Sequence, residues 1–230
     1  MILVEKLASI QERIEKAQHR SGLNSEVILV AVTKNQPITA FLEAQQAGLG
    51  QIGENRVQEA AWKFPLLEKD FNLTRRMIGH LQSNKVNKAL DLFHTIDSVD
   101  SLSLAQKINK RANLLGLIMP VLLEINTSGE IQKNGFSIND IEAQLACRNL
   151  ENLRVDGLMT VGPLSNDENT IRTAFKNLRE LFNNLNTQLS SGQPQMQELS
   201  MGMSSDFEIA IEEGSTMIRL GTELFGPRKI

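Results

Sequence analysis

The stretch VILVAVTK at 27–34 constrains this chain more than any other. Apolar residues, mostly β-branched, run without a polar break to Thr33, and a lysine follows. A short, continuous run of this kind reads as a strand buried on both faces, which belongs to a parallel sheet covered by helices. Lys34 then falls at or just past the carboxyl end of a buried strand, where α/β folds place their chemistry. A lysine there is more often a solvated strand end than a functional group, so the rest of the chain must decide.

The flanking pattern repeats the strand–helix theme. Residues 2–20 place Leu3, Leu7, Ile10, Ile14 and Ala17 at steps of three and four, an amphipathic helix ended by Ser21-Gly22. After the strand at 27–33, Pro37 suits a first helical turn, and the helix it opens stops at Gly48. Further strands are predicted at about 50–52, 73–79, 93–96, 117–126, 153–161, 196–201 and 216–220. The helices between them fall at 55–69, in LQSNKVNKALDL, and at 98–115, 138–148, 167–189 and 204–213. Pro65 should kink or shorten its helix, and Pro120 must lie near a strand start or at a bulge. Eight predicted strands alternating with helices in 230 residues imply a single closed (β/α)8 TIM barrel with an extra N-terminal helix. An open doubly wound sheet is the runner-up. The absence of a linker, a low-complexity segment or a fixed-period repeat favours one domain over residues 1–230.

Composition narrows the partners. The net charge is −3, and no basic run exceeds Arg75-Arg76, so nucleic acid and an anionic membrane are poor guesses. No apolar run approaches a bilayer span. The N-terminal residues have the character of neither a signal nor a transit peptide. One cysteine, Cys147, excludes an internal disulfide framework and suits a cytoplasmic location. Three scattered histidines, without HExxH or CxxC, make a metal site a weak expectation. No helix shows an uninterrupted heptad seam, which leaves a monomer as the default. The chain contains no tyrosine, which removes any mechanism that needs a tyrosine acid or base from it.

A barrel should gather its functional residues just after its strands. Lys34 follows the first predicted strand, Glu54, Asn55 and Arg56 the second, and His80 the third. The last two loops are the most specific. Ser205-Asp206-Phe207-Glu208 fits a capping box, in which Ser205 caps a helix and Ser204 keeps a hydroxyl for other use. Gly221-Thr222 adds a close backbone approach and another hydroxyl. Loops at these two positions often bind phosphate, although Asp206 and Glu208 offset part of the helix dipole. Arg219, inside the apolar strand TMIRL, needs a ligand or an ion-pair partner, for which Glu54 and Glu223 are the candidates. A lysine, an anion cradle and a buried cation at one mouth fit an aldehyde that carries a phosphate. The lysine would condense with its carbonyl. Pyridoxal phosphate satisfies this, and so does a phosphorylated aldehyde sugar.

AVTKNQP at 31–37, IGENRVQE at 52–59, IGHLQSNK at 78–85, SVDS at 98–101, LLEINTSGEIQKNGF at 122–136, GLMT at 157–160 and LSMGMSSDFEIAIEEGSTMIRLGTELFG at 199–226 resemble the YggS/PROSC family. That family comprises pyridoxal-phosphate-binding proteins concerned with vitamin B6 homeostasis. The resemblance covers nearly the whole chain in order. It implies a barrel similar to the N-terminal domain of alanine racemase, with pyridoxal 5′-phosphate held as a Schiff base on Lys34. It further implies that Asn55 lies near the cofactor ring, that Met201 packs against it and that Arg219 faces the pyridine nitrogen. Ser204, Gly221 and Thr222, with Ser205, would hold the phosphate. The implied function is to store, deliver or buffer the cofactor, with PLP-dependent apo-enzymes as possible recipients, and not to turn over a substrate.

The residues support that view separately. A racemase of this type needs a second base, a tyrosine, which this chain lacks. An arginine at the pyridine nitrogen keeps the ring a poor electron sink. The alternative is a narrow-specificity PLP-dependent racemase or lyase, or a Schiff-base aldolase.

Overall fold

The structure is a computed structural model that describes residues 3–22, 26–67, 71–130, 132–188 and 192–226. In chain order the elements begin with α1 (Leu3–Ser21), β1 (Ile28–Val32), α2 (Thr39–Gln46), β2 (Gln51–Glu54), α3 (Val57–Lys63) and β3 (Thr74–Met77). They continue with α4 (Val86–Leu92), β4 (Thr95–Val99), α5 (Leu102–Leu115), β5 (Met119–Asn126), β6 (Phe136–Ser137) and α6 (Ile141–Arg148). The last are β7 (Leu153–Met159), α7 (Glu168–Thr187), β8 (Glu198–Ser200), α8 (Phe207–Glu212), β9 (Met217–Leu220) and α9 (Thr222–Phe225). The expected helix ends at 69 and 189 lie outside the described residues.

Strand order runs β4-β3-β2-β1-β9-β8-β7-β5, and β4 also pairs with β5, which closes the sheet. Every pairing is parallel. The result is the expected closed barrel of eight parallel strands with alternating helices, preceded by α1. The two-residue β6 is an addition to the expected strands. It pairs with the end of β5 through Ile125↔Phe136 and Asn126↔Ser137.

Apolar residues divide between two layers. A large cluster including Ala31, Phe41, Ile52, Leu123, Leu158, Phe175 and Ile218 packs the barrel against its helices. A small cluster of Val30, Leu122, Met159 and Met217 fills the barrel interior. Alternate residues of each strand therefore serve opposite layers. A polar layer shares the barrel with the interior cluster. Arg76 donates to Asp97 Oδ2 at 2.6 Å, to Gln51 Oε1 at 2.7 Å and to Glu198 Oε2 at 2.5 Å. β3 and β8 are separated by three strands on the sheet, so the last bond crosses the barrel.

That layer explains one correction. The strand expected at 93–96, followed by a helix from Ser98, is instead β4, Thr95–Val99, with α5 starting at Leu102. All five β4 residues are buried. Asp97 reaches inward to Arg76, and Ser98 Oγ donates to the Gly79 carbonyl at 2.6 Å. Polar residues at buried strand positions disguised the strand. Ser101 caps α5 by accepting from the Leu104 N–H, and Gly116 ends the helix at φ 65°.

Pro120 is the second residue of β5, next to a register shift between Val121 and Leu122 against β7, as its missing N–H requires. Pro65 lies in a 3₁₀ turn, Phe64–Leu66, that ends α3. Gly157 lets β7 approach β8: a Cβ there would lie 1.7 Å from the Glu198 carbonyl oxygen. α1 packs Leu3, Ile10, Ile14 and Ala17 inward beside α8 and α9. Among the described residues no helix is long and apolar enough to cross a membrane.

Candidate cofactor site at the barrel mouth

Register brings three loops together. Ala31 pairs with Ile52 on one side and with Leu220 on the other, so the residues after β1, β2 and β9 emerge side by side. The mouth there opens into a cavity of about 500 Å³. Lys34, Asn55, Ser204, Ser205, Arg219, Gly221 and Thr222 all line it, with Val32 and Ile78 as apolar wall. Seven of the eight residues named from the sequence thus share one cavity. Met201 is not brought to it: its side chain is fully buried in the outer core, and Met203 lines the cavity instead.

Lys34 sits at the corner of a turn in which the Gln36 N–H donates to the Thr33 carbonyl at 3.0 Å. Asn35 takes φ 58°, the left-handed conformation that such a turn demands and that asparagine tolerates. Asn55 follows β2, and its Oδ1 is buried without a hydrogen-bond partner. The Met203–Asp206 turn carries Ser204 and Ser205. In it the Met203 N–H donates to Asp206 Oδ1 at 2.6 Å, and the Asp206 N–H returns a bond to the Met203 carbonyl at 3.1 Å.

This turn replaces the expected capping box. The N-cap of α8 is Asp206, without a side-chain cap bond, and Ser205 is exposed. Glu208 does not reach back; it pairs with Arg13 at 2.8 Å and Arg20 at 3.0 Å on α1. Burial pushes the Asp206 carboxyl up from its ordinary value, which weakens its claim as a fixed negative charge beside the serines. Gly202, at φ 98°, lets the loop fold onto α8: a Cβ there would meet Ala210 Cβ at 2.6 Å and Phe207 Cα at 2.9 Å.

Arg219 is 4% exposed and pairs with neither Glu54 nor Glu223, which removes the ion-pair alternative to a ligand-facing role. Its Nη1 donates to the Ser200 carbonyl at 2.9 Å and to Ser200 Oγ at 2.6 Å; its Nη2 donates to the Thr160 carbonyl at 2.7 Å. Glu54 is held by Lys63 at 3.0 Å, and Glu223 by Arg13 at 3.5 Å. Burial lowers the Arg219 pKa, while Asp97, Glu124 and Asp206 favour its charge. An arginine fixed on three oxygens offers a rigid, preset donor face to the cavity.

Three features escaped the sequence reading. Glu124 lies near the carboxyl end of β5, on the interior side with Leu122. Its carboxyl is pushed up to about 7, by burial first and then by Asp100, against the pull of Arg219 and His80. His80 Nδ1 lies 2.9 Å from Asp100 Oδ2. The third is the buried Lys63 beneath the Lys34 turn. Strand alternation is the signal that points Glu124 inward with Leu122. Cys147 is buried, and burial pushes its thiol up to about 12, outside the reactive range. Among the described residues no group of three or more His, Cys, Asp or Glu could hold a metal ion.

Lysine amine, hydroxyl cradle and inward arginine at the mouth of an eight-stranded barrel define a class, and comparison with known proteins gives the same one. Residues 6–229 match the family described as alanine racemase, N-terminal domain. The pyridoxal phosphate homeostasis protein of Aquifex aeolicus (strain VF5) is 40% identical over 227 residues, 98% of each chain. That of Pseudomonas aeruginosa is 38% identical over 228 residues, 98% of this chain and 96% of the relative. PipY of Synechococcus elongatus PCC7942, solved with PLP bound, superposes with a TM-score of 0.83 at 38% identity, covering 97% of this chain and 100% of PipY. An alanine racemase of Clostridium difficile 630 shares the fold at 17% identity, with a TM-score of 0.75 over 96% of this chain and 57% of the racemase. The chain belongs to the alanine racemase N-terminal domain family and, within it, to the pyridoxal phosphate homeostasis (YggS/PROSC) proteins.

Proposed function

We propose that this protein binds pyridoxal 5′-phosphate at the barrel mouth through Lys34 and holds it for intracellular vitamin B6 homeostasis, without catalytic turnover. The observation that carries the reading is the convergence of Lys34, Arg219 and the Ser204, Gly221 and Thr222 loops on one cavity. The donor set fits this cofactor group by group. The Lys34 amine answers the aldehyde. The hydroxyls of Ser204, Ser205 and Thr222, with backbone at Gly221, answer the phosphate. Arg219 answers the ring nitrogen, with Asn55 beside the ring. Met203, which lines the cavity, takes the packing role that the family resemblance implies for Met201.

Bound at a lysine, such a cofactor supplies a reversible covalent hold and an electron sink. This chain's residues develop the first and restrain the second. Arg219 donates, so a ring nitrogen facing it stays unprotonated and draws electrons poorly. No tyrosine exists to serve as a second base, and His80, the one histidine at the mouth, is engaged by Asp100. The reading places a single chain in the cytoplasm, passing cofactor to PLP-dependent apo-enzymes.

Incubation of the loaded protein with L- and D-amino acids in deuterated water tests the non-catalytic half. The expected result is slow exchange of the cofactor onto the amino acid without Cα deuterium incorporation. Deuterium exchange or racemisation at about one turnover per second or faster, lost in Lys34→Ala, would establish the racemase or lyase alternative.

A further inference from the structure

Beneath the Lys34 turn lies a buried charged unit that the cofactor would not touch. Lys63 is fully buried, and each of its three ammonium protons has an acceptor: the Thr33 carbonyl at 3.0 Å, Glu54 Oε1 at 3.0 Å and Glu59 Oε1 at 2.5 Å. Thr33 Oγ1 donates to the same Glu54 oxygen at 2.7 Å. The Asn35 N–H donates to the same Glu59 oxygen at 2.7 Å. The unit therefore grips the residue before Lys34 and the residue after it, from one strand end and one helix.

We propose that Lys63, Glu54 and Glu59 form a positioning unit for Lys34, fixing the turn that aims its amine into the cavity and setting the charge around that amine. The inference rests on attachment of the cofactor at Lys34. Holding both flanking peptides removes the freedom of the Lys34 backbone, which is what keeps a reacting atom on target. Burial of a lysine with two carboxylates is costly and gives weak stability for its cost, so a specific geometric role accounts for its presence better than general stabilisation does. Glu59 remains partly open to solvent, with 13% side-chain exposure, and its carboxylate holds the N–H of Asn35, the residue after Lys34. Its negative charge favours the ammonium form of a nearby amine. The other charged side chain lining the cavity with Lys34 is Arg219, which acts in the opposite sense.

The test uses the full chain and two ligands. Pyridoxal 5′-phosphate reports attachment by its visible absorption. 4′-Deoxypyridoxine 5′-phosphate keeps the ring and phosphate but has no aldehyde. In Lys63→Met, attachment weakens roughly tenfold, the scale of one lost charge-assisted hydrogen bond, while the aldehyde-free analogue binds as before. In Glu59→Gln, which keeps the acceptor and drops the charge, the pH midpoint of attachment moves down, because the amine loses an anion that favoured its protonated form. A role in folding alone moves neither the midpoint nor the ratio of the two affinities. Equal losses for both ligands in Lys63→Met, or an unmoved midpoint in Glu59→Gln, would overturn the proposal. If Lys63→Met does not fold, the isosteric Glu59→Gln decides by itself. Attachment in the unsubstituted chain with no effect of either variant sinks only this inference. No attachment at Lys34 in the unsubstituted chain sinks the functional reading and this inference together.

Discussion

Arg219 Nη2 donates to the Thr160 carbonyl at 2.7 Å, joining the strand that precedes the Gly221 loop to the chain leaving β7. A buried guanidinium that satisfies backbone oxygens, and no carboxylate, is held by geometry and not by charge pairing. Its removal leaves the Thr160 carbonyl without this donor, while the Ser200 carbonyl keeps the Thr160 N–H at 3.1 Å. Arg219→Met should therefore destabilise the fold by about 2 kcal/mol, the scale of leaving one buried carbonyl unpaired, as read by urea denaturation. A loss below about 1 kcal/mol, the scale of an ordinary surface change, would mean that solvent or a neighbour replaces the donor.

The hydroxyl cradle makes a prediction about ligand choice. Pyridoxal 5′-phosphate should bind far better than pyridoxal, since Ser204, Thr222 and the backbone at Gly221 address only the anion. The double variant Ser204→Ala with Thr222→Ala should lose about 1–3 kcal/mol of affinity for the phosphorylated form, the usual scale for hydrogen bonds to a charged group, and almost none for pyridoxal. Equal titration curves for the two vitamers would contradict the assignment of these loops.

Glu124 makes the stability depend on pH in an unusual direction. Its carboxyl titrates at about 7 in the folded chain against 4.5 as a free side chain. Between those values the folded state keeps a proton that the unfolded state releases, so the contribution is complete below 4.5 and is lost as pH rises through about 7. At most about 3 kcal/mol is at stake for a shift of this size. Glu124→Gln cannot titrate and should flatten that part of the stability profile, gaining on the native chain at mildly alkaline pH. Parallel profiles from urea denaturation would show that Glu124 is not the group responsible.

Much of the barrel was legible because buried parallel strands and their helices carry strong periodicities, and Lys34, Asn55, Arg219 and Thr222 each stand one short step beyond or inside such a strand. What escaped did so for physical reasons. β4 buries Thr95, Asp97 and Ser98, and the partners of the last two, Arg76 and Gly79, lie on another strand and the loop after it, so their polarity moved the expected strand forward to 93–96 from its place at Thr95–Val99. The capping-box pattern at Ser205 was overruled by tertiary ion pairs from Glu208 to α1. Met201 and Met203 differ only in which way a loop turns after β8, and the positive φ of Gly202 between them sets that turn. Lys63 looks like any helix-terminal lysine until the fold brings Thr33 and Glu54 beneath it.

The attachment of the cofactor at Lys34 is the centre of this account, and borohydride reduction followed by peptide mapping tests it most directly. Reduction of the pyridoxal-5′-phosphate-loaded protein should leave a pyridoxyl group on the peptide containing Lys34, and Lys34→Ala should lose both the label and the visible band while keeping part of its affinity for the phosphate. A label found on Lys85 or Lys133 instead, with Lys34 unmodified, would contradict it.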